Sequence, residues 1–297
     1  MYPNAKSGDS LLAQPSLTVS SGAFFMYSFN FAICLYTFGG YHIFILITKI
    51  DQMSNKKPKI RLYINAELKV GTVHLVDAQQ GHYLANVMRV RVTEYIILFN
   101  GNAGEWLAEI TKVGKGKVNV TVRELVREQT NEPDLWYLFS PVKKARVDYM
   151  IQKATELGVS LIAPVVTKRT NLDRIKHDKL VVNAVEAAEQ CGRMTVPEVK
   201  QMSSLEAALK NWPADRELIF CDEAGDAILM GEVSSPYKKW AVLIGPEGGF
   251  TVDERKMIRD HKNTVAVTLG PRILRADTAA VVSLSLWQTY LGDWSNE

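Results

Sequence analysis

The sequence predicts a small β barrel followed by an α/β domain with a mostly parallel sheet. Three observations carry this. From Lys59 to Val126, short alternating apolar and polar runs are separated by turn residues. After Pro133, apolar runs without alternation (ELIFCDE, WAVLIG, VAVTLG) suit strands buried on both faces. Helical stretches with a 3.6-residue stripe alternate with those runs, which is the α/β pattern.

In the first part, KIRLYIN and TVHLV alternate as half-buried strands do. EYIILFN and EWLAEITKV flank Asn100-Gly101, a hairpin signal. VNVTVREL adds a strand, and GHYLANVMRV is the one helical piece, with Tyr83, Val87 and Val90 spaced for one face. Short strands plus one helix predict a closed or nearly closed barrel over 53–127, joined by a polar linker, 128–133, to a domain over 134–297. There DLWYLFSPV reads as a strand. ARVDYMIQKATELGV reads as a helix, with Val147, Met150, Ile151, Ala154 and Leu157 on one stripe and Gly158 as its stop. LIAPVVT is a strand, and DKLVVNAVEAAEQCG is a helix ending at Gly192.

Residues 1–52 are a separate problem. Ser10 to Thr48 contains no Asp, Glu, Lys or Arg, and Ala23 to Thr48 is long enough to cross a bilayer as a helix. Asn30, Gly39, Gly40 and His42 interrupt it, and single lysines at 6 and 49 give no orienting asymmetry. No basic segment followed by a small-residue cleavage site supports a cleaved signal peptide. Met53 opens a run that reads as an ordinary cytoplasmic start. The favoured reading makes 1–52 an upstream extension; a membrane anchor and an ordered part of the fold are the alternatives.

Net charge is +3 and composition ordinary, with 47% apolar and 23% charged residues, so only clustering of charge informs. Basic residues gather at Lys56, Lys57, Lys59 and Arg61, at Arg89 and Arg91, at Lys112, Lys115 and Lys117, and at Lys143, Lys144 and Arg146. Each cluster is either solvated surface or a phosphate contact. Cys34, Cys191 and Cys221 lie far apart, and the five histidines lack ligand spacing. These patterns argue against a disulfide framework and a structural metal site.

Ligands of open α/β sheets bind beyond the strands' carboxyl ends. Three such ends carry unusual residues: Cys221-Asp222-Glu223-Ala224-Gly225, Gly245-Pro246-Glu247-Gly248-Gly249, and Leu269-Gly270-Pro271-Arg272-Ile273-Leu274-Arg275. The second leads into TVDERKMIRDH, where Thr251 and Glu254 have capping-box spacing. It is either a plain turn or a loop wrapping a small ligand. It is neither a dinucleotide fingerprint nor a phosphate-binding loop, which disfavours kinase, ATPase and ordinary dehydrogenase readings. In the third, an arginine buried near a helix start needs an anion or a neighbouring carboxylate.

IGPEGGFTVDE followed by LGPRILRADTAA resembles the carboxy-terminal signature of the RsmE-like methyltransferases of the SPOUT superfamily. MIQKATELGV, AAEQCGR and HYLANVMRVR resemble further motifs of that family, in order, from about Lys59 to Trp294. The resemblance implies a PUA-like RNA-binding barrel and a SPOUT-type α/β domain with a carboxy-terminal deep trefoil knot. It implies cytoplasmic homodimers that use S-adenosylmethionine to methylate N3 of a uridine in 16S ribosomal RNA, uridine 1498, within the small subunit. For the cofactor it points to Glu223, Gly245, Pro246, Glu247, Gly248, Gly249, Leu269, Ile273 and Leu274. For chemistry it points to Arg275, with Asp277 and Glu247 as candidate bases. For RNA it points to Arg61, Arg89, Arg91, Lys143, Arg146 and Arg272. Where the family more often has Arg-Thr-Glu-Thr, this chain has Arg275-Ala276-Asp277-Thr278, a carboxylate one methylene shorter. Lys153, Glu156, Glu189, Gln190 and Arg193 fall inside family-like motifs, as helix caps, dimer contacts or site residues. Another SPOUT RNA methyltransferase, acting on a ribose 2′-hydroxyl or a transfer-RNA base, and a non-catalytic ribosome-assembly factor are the alternatives.

Overall fold

A computed structural model describes residues 58–296, apart from 115, 173, 224 and 225, and the backbone of three earlier strands. These are β1 (Ala23–Ser28), β2 (Phe31–Phe38) and β3 (Tyr41–Ile47), which pair antiparallel in sequence order. The stretch that one reading took for a membrane-crossing helix therefore holds strands. Aromatic and β-branched residues, dense in these strands, favour extended backbone. Among the described residues no helix is long and apolar enough to cross a membrane. The suggested start at Met53 lies outside the described residues.

A second unit begins at Pro58. Its first part holds β4 (Arg61–Tyr63), β5 (Val73–Leu75), α1 (Ala78–His82), β6 (Tyr95–Phe99), β7 (Glu105–Gly114) and β8 (Lys117–Arg127). The sheet order is β4-β6-β7-β8-β5. No ladder joins β4 to β5 among the described residues, so the barrel is not fully closed. The β6–β7 hairpin turns at Asn100, whose side-chain oxygen accepts the N–H groups of Asn102 and Ala103 at 3.0 and 2.9 Å. One strand face is core: Ile96, Leu98, Ala108, Ile110, Val118, Val120 and Val122 are all buried. The predicted helical stripe needs correction. A π turn over Tyr83–Val87, closed by Met88 N–H on the Tyr83 carbonyl at 2.9 Å, widens the coil. Leu84 and Val90 are buried there, while Val87 is exposed.

The α/β part runs β9 (Leu135–Phe139), α2 (Lys144–Glu156), β10 (Leu161–Val166), α3 (His177–Cys191), β11 (Glu198–Val199), β12 (Ser203–Ser204), α4 (Leu205–Lys210), β13 (Arg216–Cys221), β14 (Ile228–Leu229), β15 (Lys239–Ile244), α5 (Val252–Arg259), β16 (Thr264–Thr268) and α6 (Ala276–Tyr290). Strand order is β11-β10-β9-β15-β13-β16-β14, with β12 also on β10, and every pairing is parallel. Both faces are covered. Leu135, Tyr137, Phe139, Val242 and Ile244 pack with α2, α3 and α6, whereas Leu138, Leu218, Phe220, Ala241 and Leu243 pack with α4 and α5. Each buried Val, Leu, Ile or Phe among them contributes about 1.5–3 kcal/mol. Helix α2 buries Val147, Met150, Ile151 and Ala154 as its periodicity predicts.

At the amino ends of the strands, the buried Arg216 ties three of them together. It donates to both Asp134 oxygens at 2.8 Å and to the Trp240 carbonyl at 2.8 Å, and stacks 3.7 Å over Trp136. A second arginine joins the barrel to the α/β part, and it corrects an expectation. Arg61, read from sequence as an RNA contact, has a side chain only 14% exposed. Its guanidinium donates to the carbonyls of Ala188, Glu189 and Arg193 at 2.7, 2.9 and 2.8 Å, pairs with Glu105, and lies 4.5 Å over Phe99. Its donors are thereby engaged by the protein itself.

Candidate active site

The loops following β13, β15 and β16 converge on one cleft of about 530 Å³. Its walls include Glu223, the whole run Gly245–Phe250, Thr268–Gly270 and Arg272–Ala276. The Gly245–Gly249 loop is a tight turn closed by Gly249 N–H on the Pro246 carbonyl at 2.9 Å. Gly249 sits at φ +67°, where a side chain is strained. A Cβ at Gly245 would lie 2.6 Å from the Phe250 ring. The loop ends in the predicted capping box: Thr251 Oγ1 accepts from Glu254 N–H, and Glu254 accepts from Thr251 N–H at 2.9 Å. The buried Glu254 also accepts Lys168 N–H at 2.6 Å, locking the loop against the end of β10.

The third loop departs from expectation. An arginine buried near the helix start would need an anion or a neighbouring carboxylate, but Arg272 and Arg275 are both exposed, and neither forms an ion pair among the described residues. Arg275 is the N-cap of α6 and lines the cleft. A cation at the positive end of a helix gains nothing from the helix dipole, so the position favours an incoming anion instead. Leu269, Ile273 and Leu274 line the cleft, with Ile273 86% exposed.

Both candidate bases meet the same cation. Arg146 pairs with Glu247, and its Nε stands 4.0 Å from Asp277 Oδ2. Arg146, expected on RNA phosphate, thus belongs to the cleft wall. Asp277 occupies the first turn of α6, outside the cleft-lining residues. Burial pushes the neighbouring Cys221 thiol up to about 12, against a hydrogen bond from Ser283 that lowers it. Burial likewise raises the Tyr137 hydroxyl well above its ordinary value, with Cys221 and Asp277 adding to the effect. Both groups stay protonated near neutrality and are excluded as bases.

Arg89, Arg91 and Lys143 are exposed, the first two on the barrel and the third at the start of α2. Four of the family-like motif residues make contacts within the protein. Lys153 pairs with Glu156, Glu189 accepts Tyr63 N–H at 2.9 Å, and Arg193 donates to the Thr155 and Val159 carbonyls at 2.6 and 3.1 Å. The sequence places Asp222 at an unusual strand end but does not reveal its partners Arg255 and Arg259, two arginines of α5 that meet this buried carboxylate. The signal was present: arginines four apart share one helix face.

Residues 129–288, over half of the chain, match a family model described as an RNA methyltransferase domain. The chain is 30% identical to the Ribosomal RNA small subunit methyltransferase E of Rickettsia conorii, over 76% of its own length and 93% of the relative's. It belongs to the ribosomal RNA small subunit methyltransferase E family. Residues 76–123 match the RNA methyltransferase PUA domain, so the small β domain of this family member is PUA-like. The Bacillus subtilis member of the methyltransferase E family is 31% identical over 71% of this chain and 87% of its own. A solved methyltransferase E from Neisseria gonorrhoeae, bound to S-adenosyl methionine, superposes with a TM-score of 0.72 at 31% identity, covering 79% of this chain and 99% of that one.

Proposed function

We propose that this chain transfers a methyl group from S-adenosylmethionine to N3 of a uridine in 16S ribosomal RNA, uridine 1498. One observation carries the reading: three strand-end loops close on a cleft lined by an arginine at a helix amino terminus that forms no ion pair among the described residues. Its volume lies within the range for small-molecule pockets, and its glycine-built wall lets backbone approach a ligand closely. The Neisseria gonorrhoeae relative, crystallised with S-adenosyl methionine, supports the same ligand here.

S-adenosylmethionine, when bound, supplies a methyl group on a positively charged sulfur. Glu223, the backbone of Gly245, Pro246, Glu247, Gly248 and Gly249, and Leu269, Ile273 and Leu274 would hold it. The uracil N3–H is largely protonated at neutral pH, so its anion must be stabilised. Arg275 meets that negative charge, on O2 or O4 of the base or on its phosphate. Glu247 and Asp277 both face Arg146, which leaves solvent as the acceptor of the N3 proton once the anion is stabilised. N3 lies on the pairing edge, so the target enters unpaired. Arg89, Arg91, Lys143 and Arg272 contact phosphates, and binding weakens steeply with salt. The homodimer and the trefoil knot implied by the resemblance belong to the same reading.

Purified protein, labelled donor and small ribosomal subunits from an unmodified strain test this. Nucleoside mass spectrometry should show 3-methyluridine. Label on a ribose or in transfer RNA would assign another SPOUT activity. No transfer together with no calorimetric binding of donor would leave a non-catalytic RNA-binding factor.

A further inference from the structure

A second charge cluster adjoins the cleft. The Asp222 side chain, at the carboxyl end of β13, is 1% exposed. A buried carboxylate is costly unless it is paired, and α5 supplies two arginines one turn apart. Arg259 donates to Asp222 Oδ2 from Nε and Nη2, both at 2.8 Å, and holds Asp226 at 2.7 and 2.8 Å. Arg255 Nη2 stands 2.9 Å from Asp222 Oδ1 and 3.8 Å from Glu223 Oε1.

The two arginines differ in the exposed acid each reaches from Asp222. Arg259 turns to Asp226, whereas Arg255 turns to Glu223, within the wall of the cleft. At 3.8 Å it attracts the Glu223 carboxylate without occupying it by a hydrogen bond. The same Glu223 oxygen lies 3.5 Å from where a Cβ of Gly249 would stand, so it hangs over the glycine loop. A carboxylate held at a strand's carboxyl end beside a glycine turn is the arrangement that receives ribose hydroxyls in other α/β sheets.

We infer that Arg255, anchored on Asp222, is a positioning residue that aims Glu223 at the ribose hydroxyls of the methyl donor and so sets selectivity for an intact ribose. The inference rests on the reading that the cleft takes S-adenosylmethionine. Arg255 steers the receptor, and the chemistry at the uracil is left to Arg275.

Calorimetry on the full chain tests it, with S-adenosylhomocysteine and its 2′-deoxy and 3′-deoxy analogues as probes. The unsubstituted protein should bind at least one deoxy analogue about tenfold more weakly, the size of one lost hydrogen bond. Arg255→Met should weaken the parent ligand about tenfold and the sensitive analogue about twofold or less, so that discrimination collapses. Arg255→Lys should restore part of it, and Glu223→Gln should resemble Arg255→Met. In turnover, KM for the donor should rise while kcat at saturation stays within about twofold. Arg255→Gln provides the same readout if the methionine variant does not fold. Full discrimination in folded Arg255 variants would overturn the inference and leave the cofactor reading standing. Indifference of the unsubstituted protein to both deoxy analogues would overturn it too, by removing Glu223 as receptor. No binding of S-adenosylhomocysteine by the unsubstituted protein would overturn the cofactor reading itself.

Discussion

Arg61 lies against the carboxyl end of α3, and Arg275 stands at the amino end of α6. The first meets three main-chain carbonyls and Glu105, and its charge complements the negative end of a helix. The second caps a positive helix end and forms no ion pair among the described residues. An arginine with its acceptors supplied by the protein fixes domains, whereas one placed against the dipole and left open awaits an anion. That placement costs about 0.3–1 kcal/mol. In the sequence both are simply basic residues beside apolar runs.

The contrast is broken most directly at Arg275. Arg275→Ala should lower kcat for methyl transfer by about 100-fold or more, with donor affinity changed about twofold at most. Normal turnover in that variant would remove the residue from the chemistry. Arg61→Ala should instead cost about 2–4 kcal/mol in denaturant unfolding, because it strips a charged partner from half-buried acceptors. The salt dependence of its RNA binding should match that of the unsubstituted protein; a slope reduced by about one unit would return Arg61 to the phosphates.

A smaller effect sharpens the joint side of the comparison. Burial raises the Glu189 carboxyl to about 7, against the opposing hydrogen bond from Tyr63 N–H, with Glu186 adding to the rise. The folded state then holds a proton that the unfolded chain releases near 4.5. Stability should fall as pH rises from about 4.5 to about 7, and the full penalty should persist above that. Glu189→Gln should flatten this slope and gain about 1 kcal/mol at pH 8, after allowance for solvent screening of a half-buried group. An unchanged pH profile by thermal unfolding would show that Glu189 ionises at no cost. Least of all, Thr251→Ala should lose about 1 kcal/mol through its cap, read by the same unfolding assay.

Local chemistry was legible in the sequence wherever it was sufficient. Thr251 and Glu254 form the box that their spacing announces, Asn100 makes the hairpin, and α2 buries its stripe. The glycine- and arginine-bearing loops do share one cleft. What stayed hidden depends on partners far along the chain. Arg61 looked like part of a basic stripe because its acceptors stand at 105, 188, 189 and 193. Arg146 looked like a phosphate contact because Glu247 lies a hundred residues away. Two-residue edge strands such as β11, β12 and β14 are too short to carry a period, and the π turn shifts Val87 out of its stripe.

The socket that receives Arg61 is made largely of peptide oxygens, which no codon change can remove. A genetic screen for loosened coupling between the two parts should collect lesions at 61 and 105. Conservative replacements at 188 should pass unnoticed. Inheritance thus guards one half of that fastening and leaves the other to the backbone.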